Sequence, residues 1–203
     1  MIKRNLLLAI IAVLAMSGTS QSAKAQDYYE TKHDLAFSYG LCANSQVLGF
    51  TGDVLGTLFT GGHLTYDNNN HIGPIAAEYF CHTSKVVSVG AIGAYTRHSK
   101  DVYYNNEKRG TTTSNYVSLI PAVKIDWLRR ENIGLYSKLG VGASFEMQHN
   151  VTVEGKKDDN NEVYVTWQAS LIGFEAGNSN VRGFIELGCG EQGVALAGVR
   201  CKF

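Results

Sequence analysis

Apolar and polar residues alternate over segments of about ten residues, and this alternation constrains the fold more than any other feature of the chain. Over 133–146, one set of positions carries mainly Ile, Leu, Val, Ala and Phe, and the intervening set carries Gly, Tyr, Lys, Ser and Glu. The pattern recurs over 117–127, 163–171 and 195–203. A period of two places successive side chains on opposite faces of a β-strand. The chain is therefore predicted to be all-β.

Turn residues and Asn-rich polar stretches separate the alternating segments. Their positions predict eight strands, at 32–42, 72–82, 86–97, 114–127, 133–147, 162–175, 181–190 and 194–203. Most of these segments are long for a soluble domain, whose strands average about 5–6 residues. They match the roughly 9–11 residues with which a tilted strand crosses a bilayer.

The connections alternate between short and long. Segments 83–85, 128–132 and 176–180 are short, whereas 43–71, 98–113 and 148–161 are long and polar, and only 191–193 breaks the rule. Short turns at one end and longer loops at the other are typical of outer-membrane barrels. We therefore predict an eight-stranded antiparallel transmembrane β-barrel, with a short helix near 51–59 in the first outer loop. Ten strands are the alternative if 57–66 forms a full membrane strand.

A soluble sandwich would show the same alternation with its polar face outside. Here the polar face is rich in Gly and carries isolated charges of both signs, as expected of a crowded interior. An eight-stranded barrel is just wide enough for side chains to fill. We predict that the following residues form a polar network inside the lumen: Glu78, Lys124, Asp126, Lys138, Glu146, Glu186 and Arg200. The same alternation points the side chains of His82, Arg182 and Lys202 inward, and we also expect Glu175, which lies near a turn, to face the interior.

The chain begins like an exported protein. Lys3 and Arg4 precede the apolar run 6–16, and Ala23-Lys24-Ala25 forms an A-x-A cleavage site. This pattern predicts a signal peptide at 1–25 and a barrel domain at 26–203. A transmembrane helix needs roughly 17–25 apolar residues, so the run is too short for an anchor.

The charge balance argues against nucleic-acid binding, which needs a basic face. The whole chain has 18 basic and 18 acidic residues. Without Lys3, Arg4 and Lys24 the mature chain would have 15 basic against 18 acidic residues, a net charge of −3.

Neither the cysteines nor the histidines have the spacing of a metal or cofactor site. Parity points Cys42 inward and Cys81, Cys189 and Cys201 outward. Cys81 and Cys201 lie on the two strands that flank the first, about 10 Å apart, so we predict no disulfide. His98, Ser99 and Asp101 are the only nearby set that suggests an enzyme, although alternation sends neighbouring side chains to opposite faces.

Several segments resemble the small outer-membrane β-barrel proteins of the Bacteroidota type. They are 73–75, 79–80, 88–90, 121–130, 184–188, 193–194 and the C-terminal 198–203, which ends in Phe203. The resemblance covers most of the mature chain and implies an outer-membrane location. It also implies that Phe203 is part of a C-terminal signal read by the barrel-assembly machinery, with Cys201 departing from the usual aromatic residue.

These observations favour a non-enzymatic outer-membrane protein whose lumen is plugged by side chains. Its role would be structural in the envelope or would involve surface interaction through the long outer loops. A narrow pore or small-solute transporter is the first alternative, and a lipid A-modifying enzyme is the second. The expected partners are outer-membrane lipid, lipopolysaccharide and the assembly machinery, with the protein itself a monomer.

Overall fold

Eight antiparallel strands pair in chain order and close into a ring, because β1 also pairs with β8. The computed structural model describes residues 31–45, 57–58, 60, 64–105, 107–152 and 157–203, and the side chains of all of these except 64–71 and 157. The strands are β1 His33–Leu41, β2 Leu64–His82, β3 Val87–Tyr104, β4 Glu107–Arg129, β5 Ile133–Thr152, β6 Lys157–Gly177, β7 Val181–Gly190 and β8 Ala195–Lys202. The predicted eight-stranded antiparallel barrel is confirmed.

The ten-strand alternative is wrong, because 64–66 begins β2 and contributes to the same eight-stranded ring. The signal peptide at 1–25 lies outside the described residues, as does most of the helix expected near 51–59.

The alternation separates two environments in the wall of the ring. Phe37 is 60% exposed on the outside, whereas its neighbour Ala36 is 1% exposed and faces the interior. The same arrangement holds along β4, where Leu119 is exposed and Ile120 is fully buried. Large apolar side chains thus cover the outer surface, while the interior holds most of the buried charged groups.

Register shifts within the strands change which face a side chain takes, and two of them move charged residues. The register of β6 shifts between Ser170 and Ile172, so that Leu171 and Ile172 both face outward and Glu175 turns inward. A similar shift between Asp126 and Leu128 in β4 turns Arg129 inward. One extra residue on one strand reverses the face of everything beyond it.

The largest correction concerns the long polar segments, which are mostly strand. Pairing continues from β3 to β4 up to Tyr104 opposite Glu107, and from β5 to β6 up to Val151 opposite Lys157. The described parts of 98–113 and 148–161 are therefore paired strands, and β2 begins at Leu64 within the expected first loop. The periodic signal is lost there because polar residues occupy both faces, but β-branched residues such as Thr111, Thr112 and Thr113 still favour strand.

Strands β2–β6 consequently rise beyond the ends of β1, β7 and β8, which have only 9, 10 and 8 residues. We call this projecting sheet, residues 64–74, 95–104, 107–117, 145–152 and 157–167, the outer wall. The opposite end of the barrel, with the connections 83–86, 130–132 and 178–180, is the turn end. In the last of these connections, Asn178 Oδ1 accepts hydrogen bonds from the amides of Asn180 and Val181.

Outward aromatic residues bond to polar neighbours near both ends of the apolar surface. The Trp127 indole donates to Ser137 Oγ at 2.8 Å, and the Tyr95 hydroxyl donates to Asn115 Oδ1 at 3.0 Å. The Tyr79 hydroxyl lies 2.8 Å from His33 Nδ1, and the Tyr39 hydroxyl accepts from the Gly73 amide. Each ring thus exposes its apolar body while its polar atom is bonded.

The expected direction of Cys42 is wrong. The strand ends at Leu41, and Cys42 adopts a positive φ of 58° and is exposed. Cys189 and Cys201 are exposed, as parity predicted, and Cys81 is half-buried. Cys81 and Cys201 lie opposite His33 and Leu35 on the strands that flank β1, and the lack of a disulfide stays a prediction.

Two inward aromatic rings pack directly over glycines of the neighbouring strand. A Cβ added at Gly173 would lie 2.4 Å from Tyr136 Cζ, and one added at Gly198 would lie 2.8 Å from the Phe184 ring. Both rings are buried, and any side chain at either glycine would displace them.

We expect Gly173→Val to prevent folding, because the new side chain would occupy the volume of the Tyr136 ring. The measurement is the heat-modifiable electrophoretic mobility that a folded barrel shows. Gly183→Val is the matched control, because Gly183 is exposed and its added Cβ would have only the Ala176 carbonyl, at 3.9 Å, nearby. Normal folding of the Gly173 variant would contradict the packing described.

Candidate functional site

The interior holds three connected clusters of charged side chains. The central cluster is built on Lys138 of β5, whose Nζ lies 2.5 Å from Glu78 Oε1 and 2.9 Å from Glu186 Oε2. Glu186 also accepts hydrogen bonds from the Tyr136 hydroxyl and Ser170 Oγ, both at 2.6 Å. One buried ammonium thus joins strands β2, β5 and β7 across the lumen.

The second cluster centres on Glu175 near the turn end. Its carboxylate accepts from Arg182 at 2.7 Å and from Arg200 at 2.6 Å, and it also pairs with Lys202. Arg200 lies between the rings of Tyr136 and Phe184, with its guanidinium carbon 4.5 Å from each ring centroid. Arg182 also donates to the carbonyls of 130 and 131, and so ties the interior to the turn that links β4 and β5.

The third cluster surrounds Asp34 of β1, which pairs with Lys124 of β4. Asp34 Oδ1 also lies 3.0 Å from His82 Nε2, and Ser88 Oγ lies 2.5 Å from His82 Nδ1. Asp126 is 3.6 Å from the same ring. This Ser–His–Asp chain has the connectivity of a nucleophilic triad, but Ser88 is fully buried and Asp34 is shared with Lys124, so the arrangement serves the packing of the interior.

Charges in these clusters balance. Five cations face five carboxylates in the three clusters, and the buried Arg129 and Glu191 are counted in neither set: Lys124, Lys138, Arg182, Arg200 and Lys202 against Asp34, Glu78, Asp126, Glu175 and Glu186. A buried charge is costly unless it is paired and hydrogen-bonded. The pairing therefore explains how so many charged groups can be buried in the lumen.

The short β7–β8 connection closes the lumen toward the outer wall. Gln192 is buried, and its amide nitrogen donates to Glu78 Oε1 at 2.7 Å while its backbone amide donates to Gln168. Glu191 is buried beside it and accepts from Thr166 at 3.3 Å. Burial raises the pKa of the Glu191 carboxyl. Ala43 and Ser45, which follow β1, are also buried.

Six of the seven residues predicted for the lumen network are buried in these clusters, and Glu146 is the exception. Glu146 is half-buried at the base of the outer wall, where it accepts from the Tyr116 hydroxyl at 2.9 Å. Sequence reasoning missed Asp34 and Tyr136. The alternation of the sequence indicates an inward position for both. Asp34 precedes the outward Leu35, and Tyr136 lies two residues before Lys138 on the same face of β5.

Two of the three residues considered for an enzyme bind other side chains of the outer wall. Ser99 Oγ lies 3.2 Å from Thr113 Oγ1. Asp101 binds Lys108 and Thr111, both at 2.6 Å. Each of these two side chains thus has a polar partner outside the set that the sequence suggested.

Two kinds of feature are absent from the described residues. No group of three or more His, Cys, Asp or Glu side chains among them could hold a metal ion. None of the described helices has the length and apolar character needed to cross a membrane.

Comparison with solved structures finds a similar chain in Ail, the attachment invasion locus protein of Yersinia pestis. The TM-score is 0.40 at 11% identity, with 85% of this chain and 97% of that chain covered. Ail in complex with the heparin analogue sucrose octasulfate gives a TM-score of 0.38 at 10% identity, with 85% and 94% covered. No protein-family model and no curated protein matches the chain. The barrel assignment stands on the register of its own strands.

We expect Lys138→Met to destabilise the barrel by about 3–5 kcal/mol, because it leaves Glu78 and Glu186 buried without their shared cation. Urea unfolding followed by the fluorescence of Trp127 and Trp167 measures the effect. The double variant Lys138→Met/Glu78→Gln should recover part of the loss, because it removes one uncompensated charge. Equal stability of the single variant and the wild type would contradict the role given to this ion pair.

Glu191→Gln should stabilise the protein at neutral and higher pH and have little effect at low pH. A carboxyl whose pKa is raised in the folded state costs folding free energy once the pH exceeds its ordinary value, and that cost disappears when the group is protonated in both states. Thermal unfolding across a pH series checks this. A gain that grows as the pH falls would contradict the assignment.

Proposed function

We propose that this chain is a non-enzymatic outer-membrane β-barrel that anchors its outer wall at the cell surface. One observation carries the proposal. The arrangement of a water-soluble protein is reversed, because apolar side chains cover the outside of the barrel and ion pairs fill its inside. Leu139, Val141 and Val199 are each more than half exposed on the outer surface, whereas Lys138 and Arg200 are buried. An apolar surface that encircles a barrel is stable in lipid and not in water.

The dimensions of the short strands fit a bilayer. The nine residues of β1 span about 30 Å along the strand at roughly 3.4 Å per residue. With a tilt of roughly 40°, they rise about 23 Å along the barrel axis, close to the roughly 25 Å apolar band of such proteins. β1, β7 and β8 would thus just cross the membrane, and the outer wall would project beyond it.

The packed lumen supports an anchoring role over transport. Side chains of the central cluster, the turn-end cluster and the β7–β8 connection are buried in the interior, and ion pairs and hydrogen bonds join them. A surface-interaction role then falls to the outer wall, which replaces the long loops that the sequence suggested.

The remaining parts of the proposal concern biogenesis and environment. The signal peptide would direct export, and the C-terminal strand ending in Phe203 would be read by the assembly machinery. The described backbone supports a structural role for this end, since the Phe203 carbonyl accepts from the amides of Lys32 and His33 and closes the ring. Lipid and lipopolysaccharide would contact the apolar belt of a monomer.

Planar-bilayer recording of the purified protein should show no steady open-channel current, with a porin from the same preparation as the positive control. The reason is that paired side chains fill the lumen. Stepwise currents that persist at constant voltage would contradict the plugged lumen and favour the narrow pore.

Labelling of single cysteines in a Cys-free background tests location and orientation. With a membrane-impermeant maleimide on intact cells, Asp159→Cys on the outer wall should react, whereas Ser179→Cys at the turn end should react only after lysis. Labelling of Ser179→Cys alone on intact cells would reverse the orientation. Recovery of the protein in the soluble fraction would refute the membrane location.

A further inference from the structure

The outer wall has a free edge along β6. Pairing of β6 with β7 begins only at Gln168 opposite Gly190, and the last bond on that side runs from the Glu191 amide to the Trp167 carbonyl. Beyond it β6 continues to Lys157, paired on its other side with β5 throughout. No described strand pairs with 158–166 on the β7 side.

The orientation of the backbone along this edge follows from that last bond. Trp167 directs its carbonyl toward the β7 side, and in an antiparallel ladder the direction alternates with each residue. Residues 159, 161, 163 and 165 therefore present their amide and carbonyl groups to the free edge. The intervening residues direct theirs to β5. A row of such groups is a template for another strand.

Apolar side chains lie along the same edge. Val163 is 65% exposed and Val165 is 75% exposed, the latter the largest value among the exposed large apolar residues described. Val163 lines a surface depression of about 460 Å³ with Val117, Phe145 and Met147. Lipid cannot cover this stretch, because a bilayer does not tolerate unpaired backbone groups, and water is a poor solvent for the side chains.

The charge of this edge indicates which kind of partner would bind it. Residues 158–165 read Asp-Asp-Asn-Asn-Glu-Val-Tyr-Val, with three carboxylates and no basic residue. Asp158, Asp159 and Glu162 are all exposed. A second copy in the same membrane would run its β6 parallel to this one and bring acidic residues against acidic residues.

We propose that the free edge of β6 binds an extended segment of another polypeptide by antiparallel strand addition. The segment carries two alternating apolar residues, which face Val163 and Val165, followed by basic residues, which face Glu162, Asp159 and Asp158. Backbone hydrogen bonds supply affinity, and the alternate side chains supply selectivity. This inference rests on the proposed surface role and names the kind of partner that the outer wall takes.

The test uses the full-length barrel in lipid nanodiscs and a fluorescent peptide, Val-Thr-Val-Lys-Thr-Thr-Lys-Lys, measured by anisotropy. Val163→Pro removes an edge amide while leaving the bonds to β5 intact. Val163→Thr is the matched control, since it keeps the amide and the β-branched shape. We expect the proline variant to lose at least about tenfold in affinity and the threonine variant to lose much less.

Three results would overturn the proposal: no binding of the peptide, equal binding by the proline variant, or equal binding of a peptide with Glu in place of Lys. Peptide-independent dimers that Val163→Pro abolishes would also overturn it, by assigning the edge to a second copy. Heat-modifiable mobility confirms that each variant is folded. Incorporation into nanodiscs and surface labelling test the proposed membrane location and orientation. A protein that passes both tests but does not bind the peptide contradicts only the proposal about the β6 edge.

Discussion

Lys138 holds Glu78 and Glu186 together inside the barrel, and the rest of the structure depends on this kind of pairing. An apolar outer surface requires that the polar half of every strand face inward. Eight strands enclose too little volume for bulk water, so the inward groups must compensate one another. The equal numbers of cations and carboxylates in the three clusters meet that requirement, and they also make the lumen a solid core.

The alternation in the sequence was sufficient to predict the ring and most of its interior. It placed Lys124, Lys138 and Arg200 on the inward face before any contact was known, because a period of two leaves no other choice within an unbroken strand. It could not place Arg129, since a β-bulge reversed the parity there. Alternation alone does not explain why Glu175 faces inward; the register shift after Ser170 does.

The extent of the strands was less predictable than their faces. Where both faces meet solvent, as at Thr111 and Asn160, no hydrophobic period distinguishes a strand from a polar loop. Only the pairing of β3–β4 and β5–β6 shows that these segments continue the sheet. The ion-pair partners were equally hidden, because Asp34 meets Lys124 across 90 positions of the chain.

Unequal strand lengths connect the architecture to the proposed surface role. β1, β7 and β8 stop where the apolar belt ends, while β2–β6 continue, and this difference alone exposes an edge of β6. A closed barrel normally removes all its edges. Among the described strands, closure is complete at the level of the lumen clusters and incomplete above them, so the closed part of the barrel can hold the edge in a fixed position.

The central claim is that the apolar outer surface lies against lipid. The two tryptophans of the chain both face outward: Trp127 near the turn end is 52% exposed, and Trp167, at the lower limit of the outer wall where β7 ends, is 40% exposed. Quenching of their fluorescence in the folded protein by brominated lipids tests the claim most directly. Strong quenching by the lipid bromines, with little quenching by aqueous acrylamide, is the predicted result. Strong quenching by acrylamide and none by the brominated lipids would contradict the account.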